Sequence, residues 1–346
     1  MKNRRLFPDS PLLPVLMVVI IGIMLFFPKE FQEPDIPIVS QAAENMRHLR
    51  GHLLQQYREA GLNDESYGIL AAMTLGDKTA LSYETRETFN ATGASHILAL
   101  SGLHLGIIYM LLTLLVPGRR WRMASQIVTI LAIWTFAFLT GLSASVVRAA
   151  TMLTVYGLLS IGYREKMSVN VLAFTATVML LFSPTSLYSI GFQMSFMAVL
   201  GILLFNPLLT DLIPAHILQH HTMLKWLWGM TTVSISAQIG VSPLISFYFH
   251  RFSTYFLLSN FVVVPCAYLL LGGSLCLLLI HYAPIATILA AVVALMTQML
   301  EKIATLPGAS IDHLSPNSLQ IILIYVVIAC AYVFFRTFTA AKTNNR

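Results

Sequence analysis

Charged side chains are scarce in this sequence. Only 10% of the 346 residues are Asp, Glu, Lys or Arg, against about 25% in a typical soluble domain. No charged residue occurs in residues 167–210, 226–249 or 252–300, and each of these runs can cross a bilayer, which takes about 20 residues. The scarcity excludes a water-soluble protein and predicts an all-α integral membrane protein, a polytopic bundle of transmembrane helices.

Motifs for catalysis and for cofactor binding are also missing. The three cysteines lie singly in apolar runs, a pattern that predicts small core residues and not a disulfide framework or a metal site. The sequence has no His-x-Glu-x-x-His motif, no Gly-x-Ser-x-Gly motif and no phosphate-binding glycine loop. We therefore expect no catalytic residues, no metal, no cofactor and no direct use of ATP, so the protein is not expected to be an enzyme.

The apolar runs predict about ten transmembrane helices. They lie near residues 12–27, 95–116, 124–140, 143–161, 168–182, 186–205, 226–242, 254–280, 284–304 and 319–336. Lysines and arginines precede the first run and follow the last one, so the positive-inside rule predicts that both termini are cytoplasmic. We divide the chain into a cytoplasmic stub with the first span (1–27), an extracytoplasmic helical segment (28–94), a transmembrane bundle (95–336) and a cytoplasmic tail (337–346).

The extracytoplasmic segment is the one long polar stretch. It carries 10 of the 15 acidic residues together with six lysines or arginines. Apolar residues recur at helical spacing over residues 46–57, which predicts an amphipathic helix that lies either on the membrane or on the bundle. Asn63 and Ser82 are predicted N-caps of two short helices that end near Gly76 and Asn90.

Polar side chains inside the predicted spans mark a candidate path. Such groups usually face the interior of a bundle or a water-filled space, because a polar group facing lipid costs several kcal/mol. Ten residues in four clusters are our candidates for lining the path: Ser101, Gly102, His104, Thr140, Ser143, Ser145, Arg148, Gln193, Ser195 and Asn260. Bonding between helices is the alternative role for His104, Gln193 and Asn260.

Arg148 is the most informative of these residues. An arginine at the centre of a span costs about 2.5–3.5 kcal/mol on insertion scales, so its presence there indicates a function. The alternative is that its long side chain reaches the nearer membrane surface.

The same stretches resemble the ComEC family of competence DNA-uptake channels. The resembling elements occur in the family's order and cover the chain from about residue 68 to 307. They are residues 75–78, 92–104, 140–149 and 191–196, with Pro184, Asn260 and Pro265 between and after them. The resemblance implies a bacterial inner-membrane channel that passes one strand of incoming DNA into the cytoplasm during natural transformation.

Family members typically add two further domains. These are an extracytoplasmic oligonucleotide-binding fold and a metallo-β-lactamase-like nuclease domain. We expect neither here, since segment 28–94 is too short for that fold together with its helices, and the nuclease motif His-x-His-x-Asp-His does not occur. The resemblance implies single-stranded DNA and the lipid bilayer as partners, with a separate DNA receptor, a nuclease and a cytoplasmic motor or single-strand-binding proteins. An authentic short member and a membrane core of a longer protein both fit the sequence.

Two other functions were considered. A secondary transporter of a small anion would use the same broken helices and buried arginine, although we find neither inverted repeats nor a buried carboxylate for ion coupling. An intramembrane hydrolase would use Ser101 as nucleophile and His104 as base. Residues three apart on a helix rarely reach that geometry, so we expect no such pair.

Overall fold

The computed structural model describes residues 37–115, 122–162, 169–280 and 282–344. These residues are almost entirely helical, with one short two-stranded ribbon. The first predicted span, near residues 12–27, lies outside the described residues.

Short helices come first in the described chain. They are α1 (Pro37–Glu59), α2 (Asp64–Leu70) with the π-helical turn Ala71–Leu75 directly after it, α3 (Tyr83–Ala91) and α4 (Ser95–Leu98). The elements that follow are mostly longer helices, separated by short turns and two strands. They are α5 (Gly102–Leu115), α6 (Arg122–Leu139), α7 (Ala144–Gly162), α8 (Val169–Phe182), a 3-10 turn (Pro184–Tyr188), α9 (Ile190–Thr210), α10 (Ala215–His220), α11 (Thr222–Phe249), β1 (Arg251–Ser253), α12 (Phe256–Ile280), α13 (Ala283–Ala304), β2 (Ser310–Asp312) and α14 (Ser318–Asn344).

Five described helices are long and apolar enough to cross a membrane: α9, α11, α12, α13 and α14. Helices α5 to α8 are apolar but shorter. Large apolar side chains such as Leu279 (81% exposed) and Val327 (66%) cover the outside of the bundle, as expected where lipid replaces water. The structure thus agrees with a helical membrane protein, whereas the number of ten spans stays a prediction.

Two of the three cysteines correct our expectation. Cys266 on α12 is buried, but Cys276 and Cys330 are exposed on the outside of the bundle. The prediction of core positions is therefore wrong for these two, because an apolar run does not tell which of its faces meets lipid. All three thiols are free.

The predicted helix caps are confirmed. The Asn63 side chain accepts a hydrogen bond from the Ser66 N–H (2.8 Å), and the Ser82 hydroxyl accepts one from the Thr85 N–H (3.0 Å). Gly76, with φ of +72°, ends the π-helical turn in the left-handed conformation that suits glycine. These termini were predictable because a cap and its partner lie within three residues.

Residues 66–75 are buried inside the bundle, although they belong to the segment that we described as the one long polar stretch. All ten residues are buried, and the apolar side chains among them pack in one core with residues of α12 and α13. The Tyr57 hydroxyl meets the Thr74 hydroxyl there (3.1 Å). The chain then returns past α2 so closely that a Cβ on Gly68 would lie 2.7 Å from the Ala80 carbonyl oxygen. A run of small and apolar residues in a polar segment allowed this insertion.

A two-stranded antiparallel ribbon was not predicted. β1 pairs with β2, and Arg251 lies opposite Asp312. Arg251 also forms ion pairs with both Asp312 and Glu87 of α3. Hydrogen bonds from Ser310 and Arg251 hold the pKa of Asp312 below its usual range. Strands of three residues carry no alternating pattern, so the ribbon had no signal in the sequence.

Two glycines bring α9 and α11 into backbone contact. A Cβ on Gly201 would overlap the Ser236 carbonyl oxygen, and a Cβ on Gly240 would overlap the Met197 carbonyl oxygen. Small residues where two membrane helices meet let the backbones approach closely, and the helices then pack by van der Waals contact. α9 also packs against α7.

Gly240→Ala should destabilise the bundle by about 1–3 kcal/mol, because the new methyl group forces α9 and α11 apart. The measurement is the thermal unfolding midpoint of the purified protein in detergent. Gly229→Ala on the same helix is the matched control, since nothing lies within 4 Å of a Cβ at Gly229. Equal midpoints for the two variants would contradict the close contact.

Candidate functional site

Two interruptions of helical structure meet inside the bundle. The first is at residues 99–101, between α4 and α5, so the span that we predicted near residues 95–116 is not continuous. The second is the turn at residues 140–143 between α6 and α7, where Gly141 (φ +81°) and Leu142 (φ +51°) are left-handed. The Ser145 hydroxyl donates to the Leu100 carbonyl (2.7 Å) and joins the two interruptions.

Ser101 and His104 are in direct contact at the start of α5. The Ser101 N–H donates to His104 Nδ1 (3.3 Å), and the Ser101 hydroxyl lies 3.0 Å from the same nitrogen. The bond from the Ser101 N–H is one half of a capping box, with histidine in the third position of the helix. The two side chains meet because Ser101 lies just before the helix, and our expectation that they form no pair of nucleophile and base stays a prediction. His104 is fully buried, and its Nε2 has no partner among the described residues.

The other candidates near the interruptions have local partners. Thr140 donates to the Phe136 carbonyl (2.9 Å), and the Ser143 hydroxyl lies 3.3 Å from that of Ser145. Gly102 is exposed, and a Cβ added there would lie 3.7 Å from the Ala149 Cβ, which is an ordinary contact distance. Ser101, Gly102, Ser143 and Ser145 therefore form one group where α5 and α7 begin.

Arg148 lies one turn deeper on α7 and reaches across to α9. The residue is only 8% exposed, and its Nε donates to the Ser195 hydroxyl (3.3 Å). Its guanidinium lies against Gly191, where a Cβ would come within 2.8 Å of Nη2. Within the described part of the chain, no acidic side chain forms an ion pair with it. A positive charge is thus buried next to the Ser195 hydroxyl, and none of the acidic side chains that the structure describes neutralises it.

Three helix N-termini are connected through contacts of α7, the helix that carries Arg148. α5 begins at Gly102, α7 at Ala144 and α9 at Ile190. The bond from Ser145 joins the first two ends, and the contact of Arg148 with Gly191 joins the second and third. Each helix N-terminus carries unpaired N–H groups and a partial positive charge, so their convergence favours a bound anion. We had chosen serines at two of these starts as residues lining a path, but we did not interpret them as markers of helix N-termini.

Gln193 and Asn260 form separate contacts between elements. Gln193 Nε2 donates to the Leu187 carbonyl (3.0 Å), and its Oε1 accepts from the Tyr248 hydroxyl (2.7 Å). Asn260 Nδ2 donates to the Ser234 hydroxyl on α11 (3.1 Å), while its buried Oδ1 has no partner in the described structure. Both contacts agree with the alternative role, in which these amides hold helices together.

Comparison with known proteins identifies the family. The sequence pattern of the family described as Competence protein matches residues 73–338, well over half of the chain. The chain belongs to this family, the ComEC competence proteins. The match confirms the resemblance to this family. All ten candidate residues lie within the matched range, and the role of each residue stays a prediction.

Three relatives show how far the likeness extends. ComE operon protein 3 of Bacillus subtilis is 30% identical over 222 residues, which cover 63% of this chain and 26% of that protein. An uncharacterized protein of Aquifex aeolicus is 29% identical over 286 residues, 80% of this chain and 64% of that protein. Recombination protein 2 of Haemophilus influenzae is 24% identical over 230 residues, 63% of this chain and 29% of that protein. The ComEC chain described here thus spans only part of these relatives, and no solved structure matches it.

Ser101→Gly should keep DNA uptake within about threefold of the unmodified protein. Glycine replaces a serine N-cap at a cost of only a few tenths of a kcal/mol, so a capping role survives the change, whereas a nucleophile would be lost. Uptake is measured at matched membrane levels. A loss of more than tenfold would favour a chemical role for the pair of Ser101 and His104.

Proposed function

We propose that this chain forms a bacterial inner-membrane channel that passes one strand of incoming DNA into the cytoplasm during natural transformation. Membership of the ComEC family supports a role in DNA uptake. The observation that carries the proposal is the buried guanidinium of Arg148, which has three helix N-termini around it and no acidic partner among the described residues.

The electrostatics of this site favour an anionic ligand. A charge inside an apolar bundle is stable only when it is paired or solvated, and the partners of the Arg148 guanidinium are Ser195 and the ligand itself. The helix N-termini add partial positive charge and, apart from the Phe192 N–H that the Ser189 hydroxyl already caps, N–H groups that can donate to phosphate oxygens. A phosphodiester supplies the negative charge that offsets the Arg148 guanidinium, and its oxygens accept hydrogen bonds from these donors.

The shortage of further cations has a reason in transport. A strand bound by many arginines would stay bound, because conduction needs sites that are weak and repeated. The hydroxyls of Ser101, Ser143 and Ser145 offer such weak bonds at the level where α5 and α7 begin. Weak sites of this kind beside a strong one let the strand advance.

The channel proposal includes topology and partners. Ten spans with both termini in the cytoplasm would place α1 to α3 outside the cytoplasm. Degradation of the second strand, capture of DNA and pulling of the strand fall to a separate nuclease, a receptor and a cytoplasmic motor or single-strand-binding proteins. The bundle itself acts as a conduit, without catalysis and without a cofactor.

A secondary transporter of a small anion is the second candidate. The broken helix at residues 99–101 and the converging helix N-termini favour it, because transporters bind anions at such ends. DNA uptake separates the two functions. A transporter of small anions predicts that deletion of the gene leaves DNA uptake unchanged.

Arg148→Ala should lower DNA uptake by at least a hundredfold while leaving the protein inserted and stable, because the strand loses the charge that offsets its phosphates. Labelled DNA is measured in the nuclease-resistant cytoplasmic pool, together with the membrane level of the protein. Lys225→Ala removes an exposed cation at the start of α11 and serves as the control. Normal uptake by Arg148→Ala at normal membrane level would overturn its role.

A further inference from the structure

A second arginine approaches the site from outside the bundle. Arg50 lies in the middle of α1, which packs along α6. Its Nη1 would lie 3.3 Å from a Cβ on Gly141, in the turn that leads from α6 into α7. A guanidinium is thus placed over the turn that carries Ser143, although about 90 residues of sequence separate the two.

The guanidinium of Arg50 is not fully paired. Its Nε is sealed from solvent and has no hydrogen-bond partner among the described residues. No acidic side chain in that part of the chain forms an ion pair with it. A buried donor without a partner is unfavourable, and the residue as a whole is only half-buried, so an anion can reach its outer nitrogens.

Arg50 lies beside the turn before α7, and Arg148 lies in the second turn of α7, so the two arginines are at successive depths in the bundle. α7 begins three residues after Gly141, and Arg148 is four residues further on, which is about 6 Å along the helix at 1.5 Å per residue. A strand that passes the turn at residues 140–143 therefore meets Arg50 first and Arg148 next. Arg47, one turn earlier on α1, is exposed and lies on the same face of the helix.

We infer that Arg50 is a second phosphate-binding residue for single-stranded DNA, at the mouth of the path and directly before Arg148. This inference rests on the proposed channel function. Arg50 binds one phosphodiester of the incoming strand over the turn at residues 140–143, and the strand continues to the helix N-termini below it. The competing role is structural, in which Arg50 only steadies the turn.

The salt dependence of binding separates these two roles. For a single strand, log K falls with log salt concentration with a slope of about −0.7 for each phosphate contacted. Binding of a fluorescent single-stranded oligonucleotide to the purified full chain in detergent is measured at several salt concentrations. Arg50→Gln should bind about tenfold more weakly, with a slope shallower by about 0.7, whereas Arg50→Lys should keep the slope.

Arg47→Gln is the matched control, because it removes the same charge one turn away on the same helix. Arg50→Met keeps an unbranched apolar stem without the charge and is used if Arg50→Gln lowers the membrane level; it should give the same shallower slope. If the Arg50 variants bind with the affinity and slope of Arg47→Gln, the inference is overturned.

Arg148→Ala, measured alongside for binding and uptake, separates failure of this inference from failure of the channel. If Arg148→Ala loses binding and uptake while the Arg50 variants keep both, the channel function is supported and Arg50 does not lie on the path. Normal DNA uptake by cells that lack the gene removes the channel function itself, and the inference with it.

Discussion

A backbone carbonyl inside a membrane bundle has no water to bond to, and this constraint governs the centre of the structure. The interruption at residues 99–101 frees the Leu100 carbonyl from the helical ladder, and the Ser145 hydroxyl takes the place of the missing N–H. The helix can therefore break only where α7 supplies that hydroxyl. The bond that satisfies the break also fixes the starts of α5 and α7 against each other.

The position of Arg148 follows from the same arrangement. α7 starts at the level of the broken helix, so its second turn faces α9 at Gly191 and Ser195. The absence of a Cβ on Gly191 leaves room for the guanidinium, and the backbone contact of Gly201 with α11 fixes the helix that carries it. Positive helix ends and a positive side chain repel one another, so an anion between them removes an unfavourable interaction.

The outer segment contributes to the bundle in a way that a surface helix would not. Residues 66–75 fill the space beside α12 and α13, and Arg251 ties α3 to the loops before and after them. Gly76, at the end of the buried turn, lies against Leu100 of the broken helix. The inserted segment therefore packs against the interruption through the Leu100 side chain, while Ser145 bonds to the carbonyl of the same residue.

The sequence by itself determined the membrane class, most helix positions and the caps at Asn63 and Ser82, and it singled out Arg148 as a candidate. Each of these depends on an apolar run, on a partner within three residues, or on one charge in an uncharged stretch. The tertiary structure decided the break before Ser101, the burial of residues 66–75 and the approach of Arg50 to Gly141. These depend on partners 45 or more residues away or on which face of a helix meets another, and local hydrogen bonding and hydropathy carry no information about such packing.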